Sequence, residues 1–147
     1  MEDGYDYTTI VTKEKYGVGT KIWLICSFEK LGAPLITLTD SLRRDDKGDL
    51  IYGACVEVVL WKDGINVWDL YEEDGEVKFD KLMGLEFSVQ DGVKYEIFLE
   101  LREKEIYVVI DDKRFIIRTE SLPEEVNIGI TGCEGICRLY DMKIKRA

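Results

Sequence analysis

The sequence predicts an all-β fold, built as an antiparallel sandwich of two sheets. Three observations predict it. Apolar and polar residues alternate at period two through most of the chain, β-branched and aromatic residues crowd those stretches, and short Gly/Asp clusters punctuate them at hairpin spacing. Many short strands with little helix bury their apolar faces by packing sheet on sheet. Proline occurs only at Pro34 and Pro123, no linker or repeat interrupts the 147 residues, and residues 1–147 read as one domain with a full core.

The elements follow in order. Residues 5–12 predict a first strand, 13–19 a turn region with two glycines, and 20–28 a strong strand. Residues 32–49 are the longest irregular stretch, with 35–38 extended inside it. Residues 50–61 form a long apolar strand that turns at Lys62-Asp63-Gly64, since Asp-Gly tolerates the positive φ of a hairpin loop, and returns over 65–71. Glu72-Glu73-Asp74-Gly75 is a second turn, followed by shorter strands at 76–79 and 85–89. Asp91-Gly92 leads into 94–101, a tight turn at 102–104 into 105–110, and Asp111-Asp112 into 114–118. Strands at 126–131 and 136–145 close the fold, and the only helical candidates are short turns near 119–124 or 80–83.

Parity then assigns faces, because successive side chains point to opposite sides of a strand. Tyr95, Ile97, Leu99 and Leu101, with Ile106, Val108 and Ile110, Phe115 and Ile117, and Ile128 and Ile130, form the core-facing set. Ile22, Leu24, Cys26 and Phe28, and Val56, Val58 and Leu60, join them.

Charge excludes several functions. A net charge of −10, with basic residues dense only at Arg43-Arg44 and at Lys143, Lys145 and Arg146, excludes nucleic acid and anionic membrane as partners. No apolar run reaches membrane-spanning length, and Met1-Glu2-Asp3-Gly4 lacks the basic start and apolar core of a signal peptide. The chain reads as cytoplasmic if complete, or extracellular if it is a module of a longer exported protein. The absence of histidine excludes Ser-His-Asp or Cys-His catalysis and a mixed Cys/His zinc site. Cys26 and Cys55 sit in apolar runs and read as reduced core thiols; Cys133 and Cys137 lack C-x-x-C spacing, and a disulfide stays open for an exported chain.

The second half carries a resemblance. Val93-Lys94-Tyr95-Glu96-Ile97, then Glu105-Ile106-Tyr107-Val108-Val109-Ile110-Asp111-Asp112-Lys113, Val126-Asn127-Ile128-Gly129-Ile130 and Leu139-Tyr140-Asp141-Met142-Lys143-Ile144 resemble the C-terminal half of concanavalin A-like lectin/glucanase domains, including laminin-G-like modules. The resemblance spans residues 88–146 and departs from the family at Asp112, where a glycine is usual. It implies a concanavalin A-like jelly roll. It also implies a place for calcium, for which Asp69, Glu72, Asp74 and Asp80 are the candidate oxygen ligands. The alternating glutamate–aspartate–glutamate strand of the family's glucanases is absent, so no catalytic residue is assigned.

The tryptophans carry the functional reading. Trp23 lies opposite the apolar face of its strand, Trp61 shares a face with Glu57, and Trp68 shares one with Asn66. All three therefore point away from the core. Aromatic faces with a few placed polar groups suit a glycan, whose ring has an apolar side. On this reading Trp23, Trp61 and Trp68 stack, and Glu57, Asp63 and Asn66 hydrogen-bond, in a non-catalytic, lectin-like site. The competing readings are coverage of these rings by loops such as 32–49, an interface with a protein partner or a second copy, and a glycoside hydrolase with an unusual carboxylate pair.

Overall fold

A computed structural model describes residues 8–44, 46–48, 50–133 and 135–147. The strands are β1 (Thr8–Val11), β2 (Lys21–Glu29), β3 (Ala33–Thr39), β4 (Leu42–Arg44), β5 (Leu50–Tyr52), β6 (Cys55–Trp61), β7 (Gly64–Glu73), β8 (Glu76–Glu86), β9 (Tyr95–Arg102), β10 (Glu105–Ile110), β11 (Lys113–Arg118), β12 (Asn127–Cys133) and β13 (Ile136–Lys145). A six-stranded sheet runs β1-β12-β3-β6-β7-β8, a five-stranded sheet runs β11-β10-β9-β2-β13, and β4-β5 form a small ribbon. Every pairing is antiparallel. This is an all-β jelly-roll sandwich, as alternation predicts.

The inward faces make one hydrophobic cluster. It gathers Ile22, Leu24, Cys26 and Phe28 from β2 and Tyr95, Ile97, Leu99 and Leu101 from β9. Facing them are Ile36 and Leu38 from β3 and Val56, Val58 and Leu60 from β6. Burial of β9 and β10 alternates residue by residue, and that of β2 does so up to Cys26, beyond which Ser27 is buried beside Phe28. Cys26 and Cys55 are buried, burial pushes both thiols up to about 12, and no disulfide links any of the four cysteines.

The structure departs from the sequence expectation in three places. Residues 32–49 are not a covering loop: β3 inserts between β12 and β6, and Leu42–Arg44 pairs with Leu50–Tyr52. Pro34 lies one residue before the ladder with β6 begins at Leu35, so it removes no donor from that ladder. The expected strand 50–61 breaks at Gly53, whose N–H donates to the Ser41 carbonyl at 2.8 Å. Residues 76–89 hold one eleven-residue strand, β8, rather than two strands around a helical turn. No helix occurs among the described residues, so the 119–124 candidate is a plain turn. The first seven residues of the chain, where the sequence predicts the start of the first strand, lie outside the described residues.

The hairpin turns match their sequences. Asp74 and Gly75 both have positive φ, 54° and 79°, the type I′ geometry that Asp-Gly favours. Between β6 and β7, Trp61 pairs with Gly64, leaving Lys62-Asp63 as the loop. Gly64 has φ +133°, and a Cβ there would sit 2.0 Å from the Leu85 carbonyl oxygen. Gly64→Ala is therefore expected to cost about 3 kcal/mol from backbone strain and collision with main chain. A thermal melt unchanged by this substitution would contradict the close approach.

Candidate functional site

The sandwich leaves two outer faces, and the six candidate site residues divide between them. On the six-stranded sheet, the outward residues of β6 are Cys55, Glu57, Val59 and Trp61. The register sets Glu57 directly opposite Trp68, Val59 opposite Asn66 and Trp61 opposite Gly64. Across β7 and β8, Asn66 faces Gly84, Trp68 faces Lys81 and Leu70 faces Phe79. On the β3 side, Thr37 faces Glu57 and Leu35 faces Val59.

A bulge decides part of this grid. The register of β8 slips between its partners Val67 and Trp68, passing from Met83 to Lys81 and leaving Leu82 extra. One extra residue inverts the facing of everything beyond it. Leu82 and Met83 both pack against the core, and Lys81 and Phe79 emerge on the outer face beside Trp68.

Two depressions result. The first, about 330 Å³, is lined by Ala33, Leu35, Glu57, Val59, Trp68, Leu70, Phe79 and Cys133. The Trp68 and Phe79 rings meet edge to face at 6.0 Å between centroids, with Phe79 63% exposed. Glu57 supplies the one charged group in this otherwise apolar lining. The second, about 430 Å³, lies at the β6–β7 hairpin end and is lined by Trp61, Lys62, Asp63, Glu86, Phe87 and Ser88.

Two contacts tie the β4 side of the sheet down beside β6 and β7. Arg43 Nη2 meets Glu72 Oε1 at 2.6 Å, and the Thr39 hydroxyl donates to the Ala54 carbonyl at 2.7 Å. Thr37 is completely buried although it points outward, and its Oγ1 is the one buried side-chain oxygen or nitrogen without a hydrogen-bond partner among the described residues.

Burial pushes the Glu57 carboxyl above the usual carboxylate range. The folded chain then holds this proton more tightly than the unfolded chain, and stability falls as pH rises from the unfolded pKa through the raised one. Glu57→Gln, neutral throughout, escapes that loss. Relative to the parent it is expected to gain stability progressively as pH rises above the ordinary carboxylate range, until the raised pKa has been passed. Melting curves across that range check it, and a constant gap between the two proteins would refute burial of this carboxyl as the source of the pH dependence.

The sixth candidate, Trp23, sits on the opposite side of the molecule. On the outer face of the five-stranded sheet it pairs with Phe98 and Lys143. Its ring lies 5.2 Å from Phe98, which lies 6.2 Å from Tyr107, with Arg102 4.7 Å over the Tyr107 ring and Lys143 5.9 Å from Trp23. Parity places all three tryptophans outside the core, and none belongs to the core cluster. Parity alone does not say that Trp23 and the other two occupy different sheets.

The calcium candidates do not gather. Asp69 and Asp80 face each other across β7 and β8, but Glu72 has the opposite parity on β7 and Asp74 sits at the turn tip. Among the described residues no group of three or more potential ligands comes together, so the residues present do not fit such an ion.

The residues the sequence missed at the first depression include Leu35, Leu70 and Phe79, and it also missed Thr37 and Lys81, the register partners of Glu57 and Trp68. The alternation Leu35-Ile36-Thr37-Leu38-Thr39 was a legible strand signal, masked by Gly32 and Pro34 before it and the polar run after it.

No protein-family model matches the chain, and no curated protein matches its sequence. Solved structures do match its fold. The carbohydrate-binding module CBM66 from Bacillus subtilis aligns with a TM-score of 0.69 at 14% identity, over 99% of this chain and 84% of that one. CG-16, a homodimeric agglutinin from chicken liver, aligns at 0.63 and 16%, over 94% of this chain and 100% of that one. A toad ovary galectin in complex with thio-digalactose aligns at 0.59 and 11%, over 95% of this chain and 98% of that one. Two antiparallel sheets in this order, together with alignments that cover most of this chain and most of each of these structures, give the chain the concanavalin A-like jelly-roll fold.

Proposed function

We propose that this chain is a non-catalytic carbohydrate-binding module whose ligand lies on the outer face of the six-stranded sheet. One observation carries the proposal: Glu57 and Trp68, direct partners in the β6–β7 register, line a single depression that is otherwise apolar. A sugar ring presents its C–H face to an indole and its hydroxyls to a carboxylate, so this pairing suits it chemically. The structural neighbours, which include a carbohydrate-binding module and a galectin that holds thio-digalactose, support it. Glycoside hydrolysis ordinarily sets two carboxylates across the scissile bond, and Glu57 is the one acid of this lining. A glycan array probed with the parent chain and with Trp68→Ala is the test. Hits that the variant loses are expected; no hit with the parent overturns the proposal.

A second reading has its own observation. The Trp23–Phe98–Tyr107 cluster is an aromatic patch on the other sheet, flanked by Lys143 and Arg102. Such patches suit a protein partner or a second copy. Light scattering after size exclusion distinguishes it: a dimer that Trp23→Ala dissociates favours an interface, and a monomer at high concentration removes the second copy.

A further inference from the structure

The two depressions are both lined by outward residues of β6, and the row between them joins an apolar, a polar and an absent side chain. Trp61 stands four residues along β6 from Glu57, and Trp68 stands one strand across from Glu57. At the rise of an extended strand this separates the two tryptophans by about 14 Å between backbone positions. Between them lies the row Val59–Asn66–Gly84. Gly84 makes room for its neighbours' side chains: a Cβ there would lie 2.9 Å from Lys81 Nζ and 3.1 Å from Asn66 Oδ1, so the end of Lys81 and the Asn66 amide fill the space over it. An ammonium and an amide oxygen therefore converge over the glycine, midway between two indoles. Beyond them, Trp61 shares its depression with Asp63 and Glu86, while the Trp68 end is apolar apart from Glu57.

From this arrangement, and resting on the carbohydrate reading above, we infer that the ligand is an oligosaccharide chain of about three or more linked units, bound along β6 and β7, rather than a single terminal sugar. The unit at Trp68 stacks on that indole and bonds Glu57. The middle unit meets the Lys81 ammonium and the Asn66 amide where they lie over Gly84. The far unit packs on Trp61 and bonds Asp63 and Glu86. The aromatic platforms at the two ends set the minimum length, because a ring on one cannot touch the other.

The test is calorimetric titration of the chain with cello-, chito-, xylo-, manno-, galacto- and fructo-oligosaccharides, each series running from monosaccharide to hexasaccharide. Within any series that binds, affinity is expected to rise about tenfold or more between disaccharide and tetrasaccharide and then level off. Trp61→Ala is expected to erase that rise and leave the disaccharide unchanged. Asp63→Asn, on an exposed hairpin and harmless to packing, is expected to reduce the same rise if Trp61→Ala fails to fold. Equal affinity for short and long members, or a Trp61→Ala loss that is the same at every length, overturns the extended site while leaving carbohydrate binding intact. Binding by no series at any length overturns both.

Discussion

Phe28→Ala is expected to destabilise the chain by about 3–5 kcal/mol, the usual cost of emptying a buried phenylalanine site. Phe28 is 0% exposed and is among the largest fully buried side chains. It closes the inward row of β2, where Ile22, Leu24 and Cys26 precede it. Neighbours cannot collapse into the space, because β2 is held on both sides by the ladders to β9 and β13. A domain of this size loses about 2–4 °C per kcal/mol, so the melting temperature is expected to fall by roughly 10 °C. Calorimetry of the purified variant measures it. A fall of only a degree or two would mean that the two sheets do not pack around this ring.

Trp68→Ala is expected to weaken glycan binding by about 2 kcal/mol, or roughly thirtyfold, the scale of a central aromatic anchor. The fold should survive, since Trp68 lies outside the core cluster and its ring contact is with the exposed Phe79. Trp23→Ala serves as the control. Its ring meets Phe98 at a tilt on the opposite sheet, so its removal should leave the same titration unchanged. If Trp23→Ala weakens binding and Trp68→Ala does not, the ligand lies on the five-stranded sheet and the Glu57–Trp68 depression is not its site.

The contrast between these tryptophans shows how far linear sequence reaches. Parity within a strand is a local property: Glu57 and Trp61 are four apart, so they share a face whatever the rest of the chain does. The Asp-Gly turn then returns β7 beside β6, which brings Trp68 opposite Glu57 from a separation of only eleven residues. That much of the site was legible. Trp23 has the same local signature, an indole opposite an apolar row, but strand parity carries no label for which sheet a strand joins.

The other half of the site was hidden for different reasons. Thr37 meets Glu57 and Leu35 meets Val59 because β3 pairs with β6 across a gap of some twenty residues, and Gly32 and Pro34 disguised that strand as loop. Phe79 and Lys81 face Trp68 only because Leu82 bulges. Nothing in the run Phe79-Asp80-Lys81-Leu82-Met83 announces the slip, since a bulge is chosen by how the partner strand and the core accept the extra residue.

Alternation at period two, turn chemistry at Asp63-Gly64 and Asp74-Gly75, and the outward phase of the three indoles are therefore properties of the sequence alone, because each rests on contacts between residues close along the chain. Which sheet carries each tryptophan, the burial of Thr37, the bulge that turns Lys81 outward and the pairing of Glu57 with its neighbours on two strands are decided by tertiary structure. They depend on long-range register, and register is settled only when both inner faces close on a shared core.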